Sequence, residues 1–382
     1  MAFPLDVPLA ELRRRRSAKW SDFPADVLPL PVAEMDVRLA PPVAAALAAA
    51  VEASDTGYAG RAAPLAEALA GFAWRRWGWS LDPAGVRVCG DVAVGVTETL
   101  RRLVVPGDGV VIMPPVYPPF FGWLDLVGAR RVEVPLLPPE RGGAMDLPGV
   151  ERALAAGARA VVLCHPHNPT GRVHGADELA ELAELAEAHG ATVLADEIHA
   201  PLTWPGTSFT PYLTVSAAAA RTGVAFHSAS KAWNLAGLKC AAIVTAEEGR
   251  RLVADLPAEL HYGAGQLGLV AGAAAYAEGD GWLDALLGAL AGNVRLLEEL
   301  LAERLPGVRF TAPCAGFLAW LDFRALRLSD DPAAVLLSRG RVGLVPGPSF
   351  GSPGAGFARL NLACSPDVLS EAVERMALAV AD

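Results

Sequence analysis

Between residues 45 and 280, short and wholly apolar runs alternate with longer stretches whose apolar positions recur every three or four residues. Runs such as 160–164 (Ala-Val-Val-Leu-Cys) carry no polar alternation, as expected of strands buried on both faces of a parallel sheet. The pattern predicts strands at 86–89, 109–113, 130–134, 160–164, 192–195, 223–226 and 241–244. Between two of them, Leu179, Leu182, Leu185 and Ala186 form a stripe along 177–189 among acidic residues, which predicts an amphipathic helix. Residues 95–104 and the Ala-rich run 42–51 also read as helices. This alternation points to an α/β fold, a mostly parallel sheet with helices on both faces.

The pattern changes near Gly281. A long amphipathic stretch from Trp282 to Arg304 stops at Leu305-Pro306-Gly307, followed by strand candidates at 316–323 and 341–345 and a last helix at 366–380. The first 44 residues lack the strand–helix alternation too. The expected organisation is a large domain over 45–282 and a smaller α+β domain built from 1–44 and 283–382.

Composition narrows the class. Hydrophobic residues make up 53% of the 382-residue chain and charged residues 19%, which excludes a disordered chain. A net charge of −10 gives no footprint for nucleic acid or an anionic membrane. The one basic run, Arg13 to Arg16, follows Glu11 and reads as solvated or locally paired. No run is long and apolar enough to cross a bilayer, and the first residues do not read as a secretory leader. Five scattered cysteines without CxxC spacing read as reduced thiols, so a cytoplasmic protein is expected.

Polar residues cluster where the apolar strands end, the edge at which open α/β sheets bind ligands. Asp196 follows 192–195; a buried carboxylate there needs a cation or donor, such as a protonated ring nitrogen of a cofactor, although by itself it reads more readily as a cap of the next helix. Lys231 follows 223–226 and the pair Ser228/Ser230, a setting that suits a desolvated, reactive amine; in isolation it reads as a lysine in a Ser-rich turn. Cys164-His165-Pro166-His167-Asn168-Pro169-Thr170-Gly171-Arg172 presents Asn168 on a loop constrained by prolines and a glycine. Cys89-Gly90-Asp91-Val92-Ala93-Val94 leads into the helix-like stretch 95–104, and free amides at a helix N-terminus suit a phosphate, although without a complete glycine fingerprint or a Walker lysine. His165, His167 and His199 lack ligand spacing, so no metal is expected, and Cys164 reads as core. Trp74, Trp77 and Trp79 read as packing rather than as a stacking platform.

The set HNPTG, DEIH, SASKAWNLAGLK and ARLNLAC resembles the class I/II aminotransferase superfamily of pyridoxal 5'-phosphate (PLP) enzymes. More narrowly, Lys19-Trp20-Ser21, Val27–Leu30, Val32–Asp36, Gly57-Tyr58 and Gly347–Cys364 resemble the MalY/PatB branch of cystathionine β-lyases and C–S lyases. The similarity runs from about residue 13 to 376. It implies fold type I, PLP as cofactor, a small amino-acid substrate and a homodimer.

By resemblance, Lys231 would hold PLP as a Schiff base and move the Cα proton. Asp196 would pair with the pyridine nitrogen, Asn168 would bond the phenolic oxygen, and His199 would support either from behind. Tyr117 would stack on the ring and face the leaving group. Ala93, Val94 and Ser228 would hold the phosphate, with Tyr58 reaching across to the neighbouring subunit's cofactor and Lys239 as a further phosphate contact. Arg359 would fork onto the substrate α-carboxylate under the segment that carries Ala33.

The chain departs from the branch at Pro31, Glu34 and Val37, where an aromatic, an Asp and a Phe are usual. Elimination and transamination begin alike, and Lys231, Asp196 and Arg359 do not separate them. The branch resemblance implies the lyase; the alternatives are an aminotransferase and a PLP-binding regulator.

Overall fold

The computed structural model describes residues 4–381, so residues 1–3 and 382 of the expected smaller domain lie outside the described residues. Thirteen strands occur among them. They are β1 (Leu28–Pro29), β2 (Val86–Cys89), β3 (Gly109–Ile112), β4 (Arg130–Glu133), β5 (Ala158–Cys164), β6 (Thr192–Asp196) and β7 (Gly223–His227). The remainder are β8 (Ala241–Val244), β9 (Arg309–Phe310), β10 (Leu318–Asp322), β11 (Val342–Gly343), β12 (Val345–Pro346) and β13 (Phe357–Asn361).

Each of the seven strand positions predicted between 86 and 244 is occupied, and together they form one sheet of order β2-β8-β7-β6-β5-β3-β4. Every pairing is parallel except the two made by β8. The fold is therefore α/β with a mostly parallel sheet, as the pattern predicts. Side chains alternate between its faces: Val161 and Leu163 enter one core while Ala160, Val162 and Cys164 enter the other. With both faces covered, β5, β6 and β7 run apolar from Ala160, Val193 and Gly223 until they end at Cys164, Asp196 and His227.

A second, four-stranded antiparallel sheet has the order β12-β13-β10-β9. Its central strand β13 carries Arg359, opposite Trp320 of β10 and Val345 of β12. The 25-residue helix Asp280–Arg304 turns Leu283, Leu286, Leu287, Leu290, Val294, Leu297 and Leu301 inward. N-terminal β1 lies parallel to β11, which ties the first part of the chain to its last third.

The predicted strand 341–345 is corrected. Arg341 has φ +55° and closes the helix Pro332–Gly340, and the chain then changes partners at Leu344, from β1 to β13. One apolar run therefore serves two sheets. The helix predicted from Gly95 starts earlier, at Val92, because the Asp91 side chain accepts the Val94 amide and caps it.

Candidate active site

The ends of β5, β6 and β7 place three chemically distinct loops side by side. After β5, Gly171 turns the HNPTG loop back with φ +69°, and its carbonyl accepts the amides of Cys314 and Ala315 at 2.9 and 3.0 Å. A side chain at Gly171 would run into Pro313. The loop is thus pinned to the segment before β10, and Asn168 is buried on it.

Asp196 ends β6 fully enclosed. Its carboxylate accepts the Ile198 amide at 3.2 Å and no side-chain donor among the described residues. Burial pushes its pKa up to about 6, against the Ile198 hydrogen bond and the positive charge of Lys231. After β7, Ser228 Oγ donates to the Cys240 carbonyl at 2.6 Å and lies 2.8 Å from Ser230 Oγ, which fixes the turn that delivers Lys231. Lys231 Nζ donates to the Ala33 carbonyl at 3.2 Å. Burial first, then repulsion from Arg359, lowers its pKa to about 8, while Asp196 and Glu34 oppose the shift.

Arg359 enters from the second sheet. One guanidinium nitrogen donates to Asn168 Oδ1 and the other to the Pro31 carbonyl, both at 2.9 Å, and its Nε is buried without a partner. Phe350 lies under it, 5.3 Å from ring centroid to guanidinium carbon. Burial lowers the Arg359 pKa to about 10, which still leaves it charged near neutrality. Tyr117 stands edge-on to Phe120 and Trp123, and burial raises its pKa while the Arg359 charge lowers it. His199 is buried with Nδ1 unpartnered, and burial followed by the charges of Lys231 and Arg359 lowers its pKa to about 3. It is a neutral imidazole with a free polar atom.

Lys231, Asp196, Asn168, Arg359, Tyr117, His199 and Ala33 therefore come together. Other sequence-predicted residues stand apart or are otherwise engaged. The Val94 amide and the Lys239 ammonium, expected at a phosphate, both engage Asp91, at 2.8 and 2.7 Å. Ala93 is in the same first turn, on the helix that Asp91 caps. Tyr58 is 86% exposed, edge-on to Tyr262, on the surface.

His165 and His167 are held by Thr210 and Thr170, and among the described residues no group of three or more His, Cys, Asp or Glu is placed to hold a metal. Trp77 stacks on His227 with centroids 5.6 Å apart, whereas Trp74 is exposed.

The donor set fits PLP on observations of this chain alone. A buried primary amine, a buried carboxylate without a side-chain partner and an orphaned imidazole nitrogen match an aldehyde, a pyridinium and a ring oxygen.

The profile of the aminotransferase class I and II family matches residues 26–376. The chain belongs to that family. It is 37% identical to cystathionine beta-lyase of Corynebacterium glutamicum, over 99% of both chains. It is 34% identical to cystathionine beta-lyase PatB of Bacillus subtilis, over 96% of this chain and 97% of that one. Cystalysin from Treponema denticola, whose crystal structure contains a PLP cofactor, superposes with a TM-score of 0.91 at 26% identity, covering 100% of this chain and 98% of that one. The family's fold is the PLP-dependent fold type I, and its cofactor is PLP.

Sequence reasoning missed several polar residues that build this family member's site. Asn234 bonds both the amide and the carbonyl of Met35, at 2.8 and 3.1 Å. Asn361 Nδ2 donates to the Val32 and Glu34 carbonyls at 2.7 and 2.6 Å. Glu197 lies 3.0 Å from His227 and accepts the Tyr212 amide at 2.7 Å, behind Asp196. Asn234 and Asn361 sit inside the motifs SASKAWN and ARLNLAC, which is the signal that could have singled them out.

Proposed function

We propose that this protein is a PLP-dependent C–S β-lyase that cleaves cystathionine or a related S-substituted cysteine to a thiol, pyruvate and ammonia. The observation that carries the reading is similarity over nearly the full chain to relatives named cystathionine beta-lyase, while Arg359, the one arginine among the buried described residues, lies beside Lys231 and offers the α-carboxylate site that elimination and transamination share.

In this reading Lys231 attaches the cofactor, Asp196 holds its pyridine nitrogen protonated, and Asn168 and His199 flank the ring oxygen. Ser228 and the Ala93 amide hold the phosphate, with Tyr58 of a second copy completing the site of a homodimer. Val94 and Lys239 contribute through Asp91. PLP, when bound, supplies the electron sink that makes the Cα–H bond acidic. Lys231, freed as an amine when the substrate takes its place, takes the Cα proton. Arg359 clamps the carboxylate, so that the Cα–H and Cβ–S bonds stand where both can break, and Tyr117 faces the leaving group. The C–S electron pair leaves with sulfur, which takes up a proton. Water then converts the released enamine to pyruvate and ammonium.

We further assign 45–282 to the cofactor-binding domain and 1–44 with 283–382 to the domain that brings in Arg359. The five unpaired thiols support a cytoplasmic protein. Among the described residues, no helix is long and apolar enough to cross a membrane.

The test is the form of the cofactor after exposure to an S-substituted cysteine without any keto acid. Mass spectrometry of the extracted cofactor is expected to return the aldehyde. Recovery of the aminated form would support an aminotransferase instead.

A further inference from the structure

Lys19 and Asp36 are both buried, with side chains 1% exposed, and their charges meet at 2.8 Å. Burying two ions costs both their hydration, and the attraction offsets that loss only if the remaining donors and acceptors are satisfied. Here they are. Trp20 Nε1 donates to the other oxygen of Asp36 at 3.1 Å, Lys19 Nζ also reaches the Glu34 carbonyl at 3.4 Å, and the Asp36 amide donates to the Ala363 carbonyl at 2.8 Å. The short helix Ala18–Ser21 is thereby locked to one end of the segment 30–36.

That segment is tied down by its backbone. Pro31 accepts Arg359, Val32 and Glu34 accept Asn361, Ala33 accepts Lys231, and Met35 exchanges two bonds with Asn234. Two of these donors, Arg359 and Lys231, are the groups that the proposed reaction turns toward substrate and cofactor. When they turn, the segment keeps Asn361, Asn234, Ala363 and the Lys19–Asp36 pair, which is its only ion pair among the described residues.

We propose that Lys19, Asp36 and Trp20 are positioning residues for the substrate carboxylate: they hold residues 31–36 in place over the site while Lys231 and Arg359 are engaged elsewhere. They set substrate affinity and leave the chemical step alone. The inference rests on the reading of Arg359 as the carboxylate site.

The experiment compares the wild-type holoenzyme with Asp36→Asn and Trp20→Phe. Asn keeps the shape and can still accept from Trp20, but leaves the Lys19 charge unpaired; Phe removes the indole donor and part of the ring that lies 5.8 Å from Lys19 Nζ, while the Lys19–Asp36 pair stays intact. In Asp36→Asn, KM for an S-substituted cysteine is expected to rise about tenfold or more, with kcat changed by less than about threefold. Trp20→Phe should move KM the same way by a smaller factor, and it carries the test if Asp36→Asn does not fold. Calorimetric titration with L-alanine, which has no leaving group, should show the same loss of affinity without turnover. Amide hydrogen exchange should quicken across 30–36 and stay unchanged in β5 to β7. A lower melting temperature with unchanged KM and unchanged alanine affinity would overturn the proposal, as would a fall in kcat at constant KM. Absence of C–S cleavage by the wild type would count against the proposed function, while the alanine and exchange measurements would still decide this inference.

Discussion

Arg359 donates to Asn168 Oδ1 at 2.9 Å, and this bond joins the second sheet to the loop after β5 of the large sheet. The residue assigned to the substrate carboxylate thus already touches the residue assigned to the cofactor ring. A carboxylate arriving at Arg359 competes with, or bridges, the same guanidinium nitrogens.

Arg359→Lys keeps a positive charge but loses the planar fork, and it cannot serve both Asn168 and Pro31 with the same geometry. A hydrogen bond to a charged group contributes about 1.5–3 kcal/mol, so kcat/KM should fall roughly 10- to 150-fold. Steady-state kinetics check this. Loss of less than about threefold would remove Arg359 from the carboxylate site.

Lys231 gives a pH dependence of known sign. Its pKa in the folded, cofactor-free protein is about 8, against 10.5 for an ordinary lysine, chiefly because of burial. Covalent capture of PLP needs the neutral amine, so the capture rate should climb with pH up to about 8 and then level off. Between about 8 and 10.5 the unfolded chain holds a proton that the folded chain has released, so stability from this group rises with pH across that window and is lost as pH falls through it. Stopped-flow capture and melting curves of wild type and Lys231→Met measure both effects. A capture rate still rising beyond pH 10 would contradict the lowered value.

Much of this site was legible in the sequence, for a physical reason. Strands β5 to β7 are buried on both faces, so the polar residues at and just beyond their ends, among them Asn168, Asp196 and Ser228, stand out against apolar runs. What depends on pairing between distant segments was not legible. Asp91 captures both the Val94 amide and Lys239, 148 residues away, and nothing in either local pattern says so. Lys19 and Asp36 are 17 residues apart, and nothing in either local pattern pairs them. Leu344 lies in an apolar run that looks like one strand, yet the chain changes sheets there.

Tyr58 is exposed in the single chain, and its proposed partner is the cofactor of a second copy. Two defective variants, Tyr58→Ala and Lys231→Ala, should therefore complement each other when subunits are mixed. A mixed dimer contains one site with both residues intact, so random exchange should restore about a quarter of wild-type activity. No recovery despite demonstrated exchange would mean that each site is built from one chain.

The central claim is elimination at a C–S bond, and the stoichiometry of products tests it most directly. Purified holoenzyme is incubated with cystathionine, no keto acid is added, and thiol, pyruvate and ammonia are quantified over many turnovers. The account predicts equal amounts of all three, sustained without a keto acid. Turnover that requires a keto acid and transfers the amino group to it, with no thiol released, would contradict it.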